Sequence, residues 1–325
     1  MQEKKEENGL MNSPHIELFS PGCLGTCWHG KYHYFEPWAG CSHDCDYCYA
    51  RYREVVTATL ADRGAMFEHP VPLLAPDLLV KTVRERLAIG DIKILKLSRF
   101  TDFFVPEFVE NGLCRDLLEV LLESPVERII ITTKGVPDDE IIDLAMRNGR
   151  KISYNLAAKP QGKIKLERHV ASLESRLEAA SRINRSGILT TVHMDPLIPG
   201  IEDDPEALTG FFKLLQEYGL RRVMFSFLLL TEPMIEDLRR RLGNASVEAI
   251  LANYDLEKAR QMLPKQKETV YVEVKPDIKN TCIERISRML REMSFSFVLC
   301  SLKSVGGDVT IDAKACPRCD GSFYA

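Results

Sequence analysis

The chain has 325 residues, of which 45% are hydrophobic, and this is enough to bury the core of one large domain or two ordinary ones. Its 43 lysine and arginine residues face 47 aspartate and glutamate residues, so the net charge of −4 excludes an overall basic surface for nucleic acid and leaves only a local patch. The charged N-terminus MQEKKEENGL has no apolar signal segment and the apolar run FLLL is too short to span a bilayer, so we expect a cytoplasmic protein with no membrane partner.

The first predicted strand, KYHYFEPW, is followed directly by Cys41, Cys45 and Cys48 with the spacing C-x3-C-x2-C. In the cytoplasm thiol pools keep cysteines reduced, so a cluster of cysteines predicts metal ligation rather than disulfides. Three thiolates suit a 4Fe-4S cluster that keeps one iron open for another ligand. The alternative is a small zinc knuckle in which His43 is the fourth ligand.

From about residue 75, helix-like and strand-like segments alternate with regular spacing. Together with the strand before the cysteines, they give six predicted strands connected by helical crossovers. Such crossovers imply a parallel sheet, here an open or partial barrel with helices outside. The further segments are the helix 77–88, the strand 92–98, the helix 107–122, the strand 128–133, the helix 138–149, the strand 151–157, the helix 173–187, the strand 188–196, the helix 205–218 and the strand 221–230.

Polar residues gather at the carboxyl ends of four of these strands, where parallel α/β barrels carry their chemistry. Each set alone has a simple alternative interpretation as a turn or a helix cap. The sets are Ser98, Thr101 and Asp102, then Thr132, Thr133 and Lys134, then Ser153 and Asn155, and finally His193 and Asp195.

Beyond residue 231 the spacing changes, so we expect an N-terminal segment (1–30), a barrel (31–231) and a C-terminal extension (232–325). The extension carries Cys282, Cys300, Cys316 and Cys319, the last two in the C-x2-C stretch CPRCD. Four such cysteines can close a second metal site, either a structural zinc or an auxiliary 4Fe-4S cluster. The predicted elements of the extension are the helices 234–242 and 247–263, the strand 269–274, the helix 277–293 and the strand 295–300.

The cysteine loop resembles that of the radical S-adenosylmethionine (SAM) superfamily, down to the aromatic Tyr47 after the second cysteine. Later segments resemble the spore photoproduct lyase-like group in the same order: SRFTDFFVPE, TTKG, ISYNLA, ESRLEAASRINRSGI and DPLIPGIED. The likeness covers roughly residues 33–230. It implies an α/β fold with a partial (β/α)6 radical SAM barrel and a C-terminal cysteine-containing extension. It also implies an enzyme that cleaves SAM at a 4Fe-4S cluster to a 5′-deoxyadenosyl radical and abstracts hydrogen from a substrate.

The resemblance assigns SAM contacts to polar residues at the strand ends. Arg176 matches a helix position that often reaches SAM, although a surface arginine is the alternative. Tyr47 would lie against the adenine, whereas Tyr49, also a candidate at the catalytic centre, has a core-packing alternative. The remaining assignments are Ser98, Thr101 and Asp102 to the methionine amino end, and Lys134, Ser153 and Asn155 to the carboxylate or ribose.

The sequence departs from the lyases at Arg99, where they carry the cysteine that returns a hydrogen atom to the repaired thymine. Arginine cannot donate a hydrogen atom, so we do not expect thymine-dimer repair by that route. Cys23 and Cys27 are candidates for the missing donor, for substrate binding, or for the second metal site, and buried thiols without a role are the alternative. Cys114 lies on the apolar face of a predicted helix, and we predict a core position for it.

The substrate implied by the resemblance is a nucleic-acid base or lesion, and the implied electron donor is of the flavodoxin or ferredoxin type. The stretch KPQGKIKLERH (159–169) is the best candidate for a basic stripe toward nucleic acid, with a solvated loop as the alternative. The C-terminal cysteines favour a second hypothesis, a peptide or protein substrate. A third is a zinc-stapled binding module without catalytic activity.

Overall fold

The computed structural model describes residues 15–22, 32–261 and 267–300. Its centre is an eight-stranded sheet in the order β1-β2-β5-β6-β7-β8-β9-β12. The six predicted barrel strands are all parallel and follow one another in chain order, which confirms the predicted partial barrel. They are β2 (His33–Phe35), β5 (Ile94–Leu97), β6 (Arg128–Thr133), β7 (Ile152–Ala157), β8 (Leu189–Leu197) and β9 (Arg222–Phe227).

Two further strands extend this sheet beyond the predicted barrel. β1 (Phe19–Pro21) pairs antiparallel with β2, and β12 (Ser296–Leu299) pairs parallel with β9. The first comes from the predicted N-terminal segment and the second from the predicted extension. The predicted boundaries at residues 30 and 231 therefore do not coincide with the edges of the sheet.

Helices cover the outside of the sheet, and most lie within a few residues of their predicted bounds. The predicted single helix 107–122 is wrong, because Gly112 adopts a φ of +82° and separates two shorter helices. The helices are α1 (Glu54–Asp62), α2 (Pro76–Ala88), α3 (Pro106–Glu110), α4 (Leu113–Glu123), α5 (Asp139–Arg147), α6 (Leu173–Arg185), α7 (Pro205–Glu217), α8 (Glu232–Leu242), α9 (Asn244–Leu251) and α10 (Pro276–Glu292).

The predicted helix 247–263 is also wrong, because α9 ends at Leu251 and the chain continues as β10 (Tyr254–Gln261). β10 pairs antiparallel with β11 (Val270–Val274), and a second small pair joins β3 (Trp38–Ala39) to β4 (Val71–Pro72). Tyr254 is buried, and its hydroxyl donates to the carbonyl of Leu228 at 3.1 Å. Tertiary pairing has overridden the helical propensity of this segment.

The register of the parallel strands shows which side chains share the inner face of the barrel and which share the outer face of the sheet. The inner face carries a small apolar cluster together with polar side chains. The apolar cluster consists of Tyr32, Tyr34, Ile130, Met224, Val298 and Cys300. Because side chains alternate along a strand, Thr132 and Asn155 lie on the same inner face as Ile130.

Candidate active site

A cavity of about 350 Å³ lies at the carboxyl ends of the strands and brings together many of the predicted site residues. Its wall includes Cys41, Cys45, Tyr47, Cys48, Tyr49, Ser98, Arg99, Thr101, Asp102, Lys134 and Cys300. The extension contributes further residues to the same wall, among them Met234 and Tyr271. The extension is therefore part of the candidate site.

The cysteine loop is held by main-chain hydrogen bonds rather than by regular secondary structure. Cys41 N–H donates to the carbonyl of Phe67 at 2.7 Å, and Cys48 N–H donates to that of Cys45 at 3.1 Å. Gly40 has a φ of +86°, and a Cβ at this position would lie 2.7 Å from the Phe67 oxygen. This close approach explains the glycine before the first cysteine.

The three thiols of the loop lie close together, are not in disulfides and are largely buried. Burial raises the pKa of each, well above its usual range for Cys41 and to about 12 for Cys45. Cys48 and Cys45 raise the pKa of Cys41 further, whereas Lys134 lowers those of Cys45 and Cys48. The loop therefore needs a bound cationic centre to become a set of thiolates.

Asp102 connects the cysteine loop to two strand ends. Its carboxylate accepts hydrogen bonds from Thr133 Oγ1 at 2.6 Å and from Lys134 N–H at 2.6 Å, and it lies 3.2 Å from His43 Nε2. Burial opposes the charge, but His43 and these donors lower the pKa of Asp102 to about 2. Thr101 Oγ1 donates to the carbonyl of Gly40. Thr101 and Asp102 thus use their hydrogen bonds within the protein, where the sequence predicted contacts to SAM.

Four other side-chain oxygens inside the barrel are buried and have no hydrogen-bond partner within the described residues. They belong to Ser98 (Oγ), Thr132 (Oγ1), Ser153 (Oγ) and Asn155 (Oδ1). Ser98 also has a φ of +62°, unusual for a residue other than glycine. Since an unpaired buried polar group is costly, these oxygens indicate a polar ligand in the barrel.

The predicted basic stripe packs against the back of the cysteine loop. Lys159 is buried, lies 2.8 Å from the carboxylate of Glu202, and its Nζ is 4.1 Å from the centroid of the Tyr47 ring. Glu167 accepts a hydrogen bond from Tyr47, and its carboxylate is 4.0 Å from Lys134 Nζ. Lys159 and Arg168 of the predicted basic stripe 159–169 thus pair within the protein, whereas Lys163 and Lys165 lie exposed at the surface.

Arg176 lies behind the cavity rather than in its wall. Its guanidinium donates to the carbonyl of Ala157 at 2.9 Å and is 3.7 Å from Glu167. Lys134, in contrast, lines the cavity, and Cys45 and Glu167 raise its pKa although burial opposes this. A permanent positive charge thus stands beside the cysteine loop.

Arg99 also lines the cavity. Its guanidinium carbon lies 4.6 Å from the Phe100 ring centroid and 5.5 Å from that of Tyr34. The hydroxyl of Tyr49, which is 40% exposed, donates to the Arg99 carbonyl, so the core-packing alternative for Tyr49 is wrong. Below them, the buried carboxylate of Glu36 accepts hydrogen bonds from the N–H groups of Arg99 and Phe100.

The structure does not bring the C-terminal cysteines together where it describes them. Cys282 lies on α10 and donates to Asp203 Oδ2 at 2.9 Å, whereas Cys300 lies inside the barrel. Cys316, Cys319, Cys23 and Cys27 lie outside the described residues. Within the described ranges, no three histidine, cysteine, aspartate or glutamate residues form a group that could hold a metal ion.

The geometry also disfavours the zinc-knuckle alternative, because His43 Nε2 contacts Asp102 instead of the thiols. A 4Fe-4S cluster makes a different demand, because each thiolate binds a separate iron. Cys114 is fully buried on α4, as predicted, and its thiol donates to the carbonyl of Phe103 at 3.0 Å.

The amino-acid sequence alone did not indicate two further residues of the site. Glu36 and Glu167 have no local pattern that separates them from surface glutamates. Their roles depend on contacts with residues 63 and 120 positions away in the chain.

The buried Glu36 predicts a pH-dependent stability. Burial raises the pKa of Glu36 from 4.5 to about 7. The stability that protonated Glu36 contributes is therefore complete below pH 4.5, its pKa in the unfolded chain, and is lost as the pH rises through about 7. We expect the free energy of unfolding to fall between about pH 4.5 and about pH 7 by up to about 1.4 kcal/mol per pH unit, and Glu36→Gln to flatten this fall. Urea unfolding of both proteins at several pH values measures it. Equal pH slopes in the two proteins would contradict the raised pKa.

Comparisons with known proteins agree with this architecture. A family model of the radical SAM superfamily matches residues 35–212. A mutant spore photoproduct lyase superposes with a TM-score of 0.58 at 16% identity, covering 83% of this chain and 76% of the lyase. Another lyase mutant, with bound AdoMet and dinucleoside spore photoproduct, gives a TM-score of 0.57 at 16% identity and the same coverage. At these identities the likeness establishes a shared fold.

No curated protein matches the chain at a significant level. Among the described residues, no helix has both the length and the apolar character needed to cross a membrane. The matched range 35–212 covers more than half of the 325 residues, and it includes the cysteine loop, four complete barrel strands (β5 to β8) and the last residue of β2. The chain therefore belongs to the radical SAM superfamily and is an enzyme of that superfamily.

Proposed function

We propose that Cys41, Cys45 and Cys48 hold a 4Fe-4S cluster and that SAM binds beside it in the cavity. The observation that carries the proposal is that the three thiols line one cavity together with Ser98 and Thr132, whose buried hydroxyl oxygens have no partner within the described residues. When bound, the cluster supplies the electron that cleaves SAM, and the resulting radical abstracts hydrogen from a substrate. The superfamily implies both cofactors, and the residues of this chain fit them.

The protein groups around the proposed SAM site divide into two kinds. Ser98 and Thr132 line the cavity and offer hydroxyl oxygens to the ligand, whereas Ser153 and Asn155 are fully buried on the same inner face, outside the cavity wall. Thr101 and Asp102 act indirectly, since they tie the cysteine loop to β6. Lys134 and Tyr47 form the wall next to Cys45, where the lysine favours the thiolate form.

The substrate that we propose is a nucleobase of a nucleic acid. The wall beyond Ser98 combines aromatic rings with arginines, including Phe100 with Arg99 and Arg53 at 4.6 Å and 6.0 Å from its centroid. Aromatic faces and guanidinium planes bind unstacked bases, and cations bind the attached phosphate. The dinucleoside spore photoproduct bound by the related lyase supports the same substrate class.

The peptide alternative rested on an auxiliary metal site built from the C-terminal cysteines. Cys282 and Cys300 lie in different surroundings, so this hypothesis now depends on Cys316 and Cys319 together with Cys23 and Cys27. The zinc-stapled binding module is wrong, because the chain belongs to a superfamily of enzymes. A flavodoxin- or ferredoxin-type electron donor and a cytoplasmic location remain part of the proposal.

The cofactor assignment predicts that Cys41→Ala, like alanine at Cys45 or Cys48, abolishes SAM cleavage. We expect the wild type, reconstituted anaerobically, to hold about four irons per chain and to release 5′-deoxyadenosine with dithionite and SAM. Cys114→Ser is the matched control, because its thiol is buried in the core and a serine can keep the hydrogen bond to Phe103. Zinc without iron, or SAM cleavage that persists without Cys41, would contradict the assignment.

The substrate assignment predicts that Arg99→Gln weakens binding of a short oligothymidine about tenfold, since it removes a cation beside the aromatic wall. Fluorescence anisotropy of the labelled oligothymidine at two salt concentrations measures this. Lys81→Gln is the control, because Lys81 lies on the exposed surface of α2. Wild-type binding that is absent, or that salt does not weaken, would exclude the nucleic-acid substrate.

A further inference from the structure

Cys300 lies inside the barrel, although the sequence analysis assigned it to a second metal site. Its N–H donates to the carbonyl of Phe225 at 2.9 Å, which places the residue directly after β12 and beside β9. It is 8% exposed and packs in the small apolar cluster with Tyr32, Tyr34 and Val298. The thiol therefore belongs to the inner face of the sheet.

Cys300 also lines the same cavity as the three thiols of the cysteine loop. Ser98 lines this cavity too, is 93% buried, and its Oγ has no partner within the described residues. An unpaired buried hydroxyl of this kind indicates that the cavity receives a ligand. Cys300 thus stands in the wall of a ligand site, separate from the loop that holds the cluster.

Two phenols accompany the thiol. The hydroxyls of Tyr32 and Tyr34 are 3.2 Å apart, and their rings meet edge to face with centroids 5.2 Å apart. Burial and the neighbouring Tyr32 raise the pKa of Tyr34 far above its usual range, so the phenol of Tyr34 keeps its proton. The S–H bond of a thiol and the O–H bond of a phenol are weaker than an ordinary aliphatic C–H bond. This wall of the cavity is therefore where a carbon radical would find hydrogen atoms.

The other described thiols outside the loop lack this position. Cys114 is fully buried and donates to the Phe103 carbonyl. Cys282 lines a separate cavity of about 280 Å³ together with Asp203 and Arg285. Arg99, which also lines the active-site cavity, has no bond that can release a hydrogen atom. Of the thiols in the described part of the chain, Cys300 best combines access to the cavity with freedom from the cysteine loop.

We propose that Cys300 is the hydrogen-atom donor to carbon radicals formed in this cavity. This inference rests on the proposed radical SAM function. In the step, the S–H bond of Cys300 breaks and a C–H bond forms on the radical, which leaves a thiyl radical on sulfur. One electron from the one-electron reductant that the reaction already requires, and one proton from solvent, restore the thiol. Tyr34 and Tyr32 are the adjacent groups that can share the unpaired electron by giving up their own hydrogen.

The test uses the reconstituted full-length enzyme with SAM and dithionite in D2O, without added substrate. The thiol hydrogen exchanges with solvent, so mass spectrometry should detect deuterium in the 5′-deoxyadenosine that the wild type releases. We expect Cys300→Ser to lower the deuterated fraction at least fivefold, because a serine O–H bond is too strong to donate. Cys114→Ser is the control and should keep the wild-type fraction. No deuterium in the wild-type product, or an unchanged fraction in Cys300→Ser, would overturn the role of Cys300.

The total 5′-deoxyadenosine in the same samples separates the two proposals. Its complete absence in the wild type would refute the proposed function, whereas normal amounts with unchanged deuterium would refute only the donor role. A second readout needs no turnover: SAM should slow alkylation of Cys300 by iodoacetamide at least threefold in unreduced enzyme. An unchanged alkylation rate would place Cys300 outside the SAM-binding cavity and overturn the inference. Cys300→Ala replaces the serine variant if the latter does not fold.

Discussion

The ion pairs that hold the two aspartates of the cysteine loop are the constraint on which the rest of the site depends. Arg241, from α8 of the extension, lies 2.8 Å from Asp44 and 3.1 Å from Asp46. Arg168 lies 2.7 Å from Asp46, whose side chain is fully buried, and Arg51 also pairs with Asp44. Because removing one partner of a buried pair leaves a costly charge, these contacts fix a loop that has little regular structure of its own.

This arrangement gives the two sides of the cavity different tasks. On the loop side, Lys134 pairs with Glu167 and Lys159 pairs with Glu202, and the Lys159 ammonium lies against the Tyr47 ring. On the opposite side, Arg99 stacks on aromatic rings and Cys300 stands beside the tyrosine pair. Between them, unpartnered hydroxyl and amide oxygens leave room for a polar ligand.

The barrel was predictable because hydrophobic periodicity and helix stops are local, and the cysteine motif was predictable because all three thiols lie within eight residues. The ion pairs between Arg241 and the cysteine loop were not predictable. Arg241 is 197 residues from Asp44, and nothing in the nearby sequence distinguishes it from Arg239 or Arg240. The ion pairs of the segment 159–169 were not predictable either, because its composition indicates a free basic stripe and its partners are distant in the chain. The segment 254–261 is a strand because it pairs antiparallel with β11, and local secondary-structure propensity does not predict such pairing.

The central claim, that charges from distant segments hold the cysteine loop in its binding geometry, is tested most directly by iron retention in Arg241→Ala. Arg239→Ala is the matched control, because Arg239 lies on the same helix and pairs at the surface with Glu248 at 3.1 Å. After anaerobic reconstitution and desalting, we predict that Arg241→Ala retains less than about half of the wild-type iron and unfolds about 2 kcal/mol more easily, while the control matches the wild type. Wild-type iron content in Arg241→Ala, with an unaltered electron paramagnetic resonance spectrum of the reduced protein, would contradict the claim.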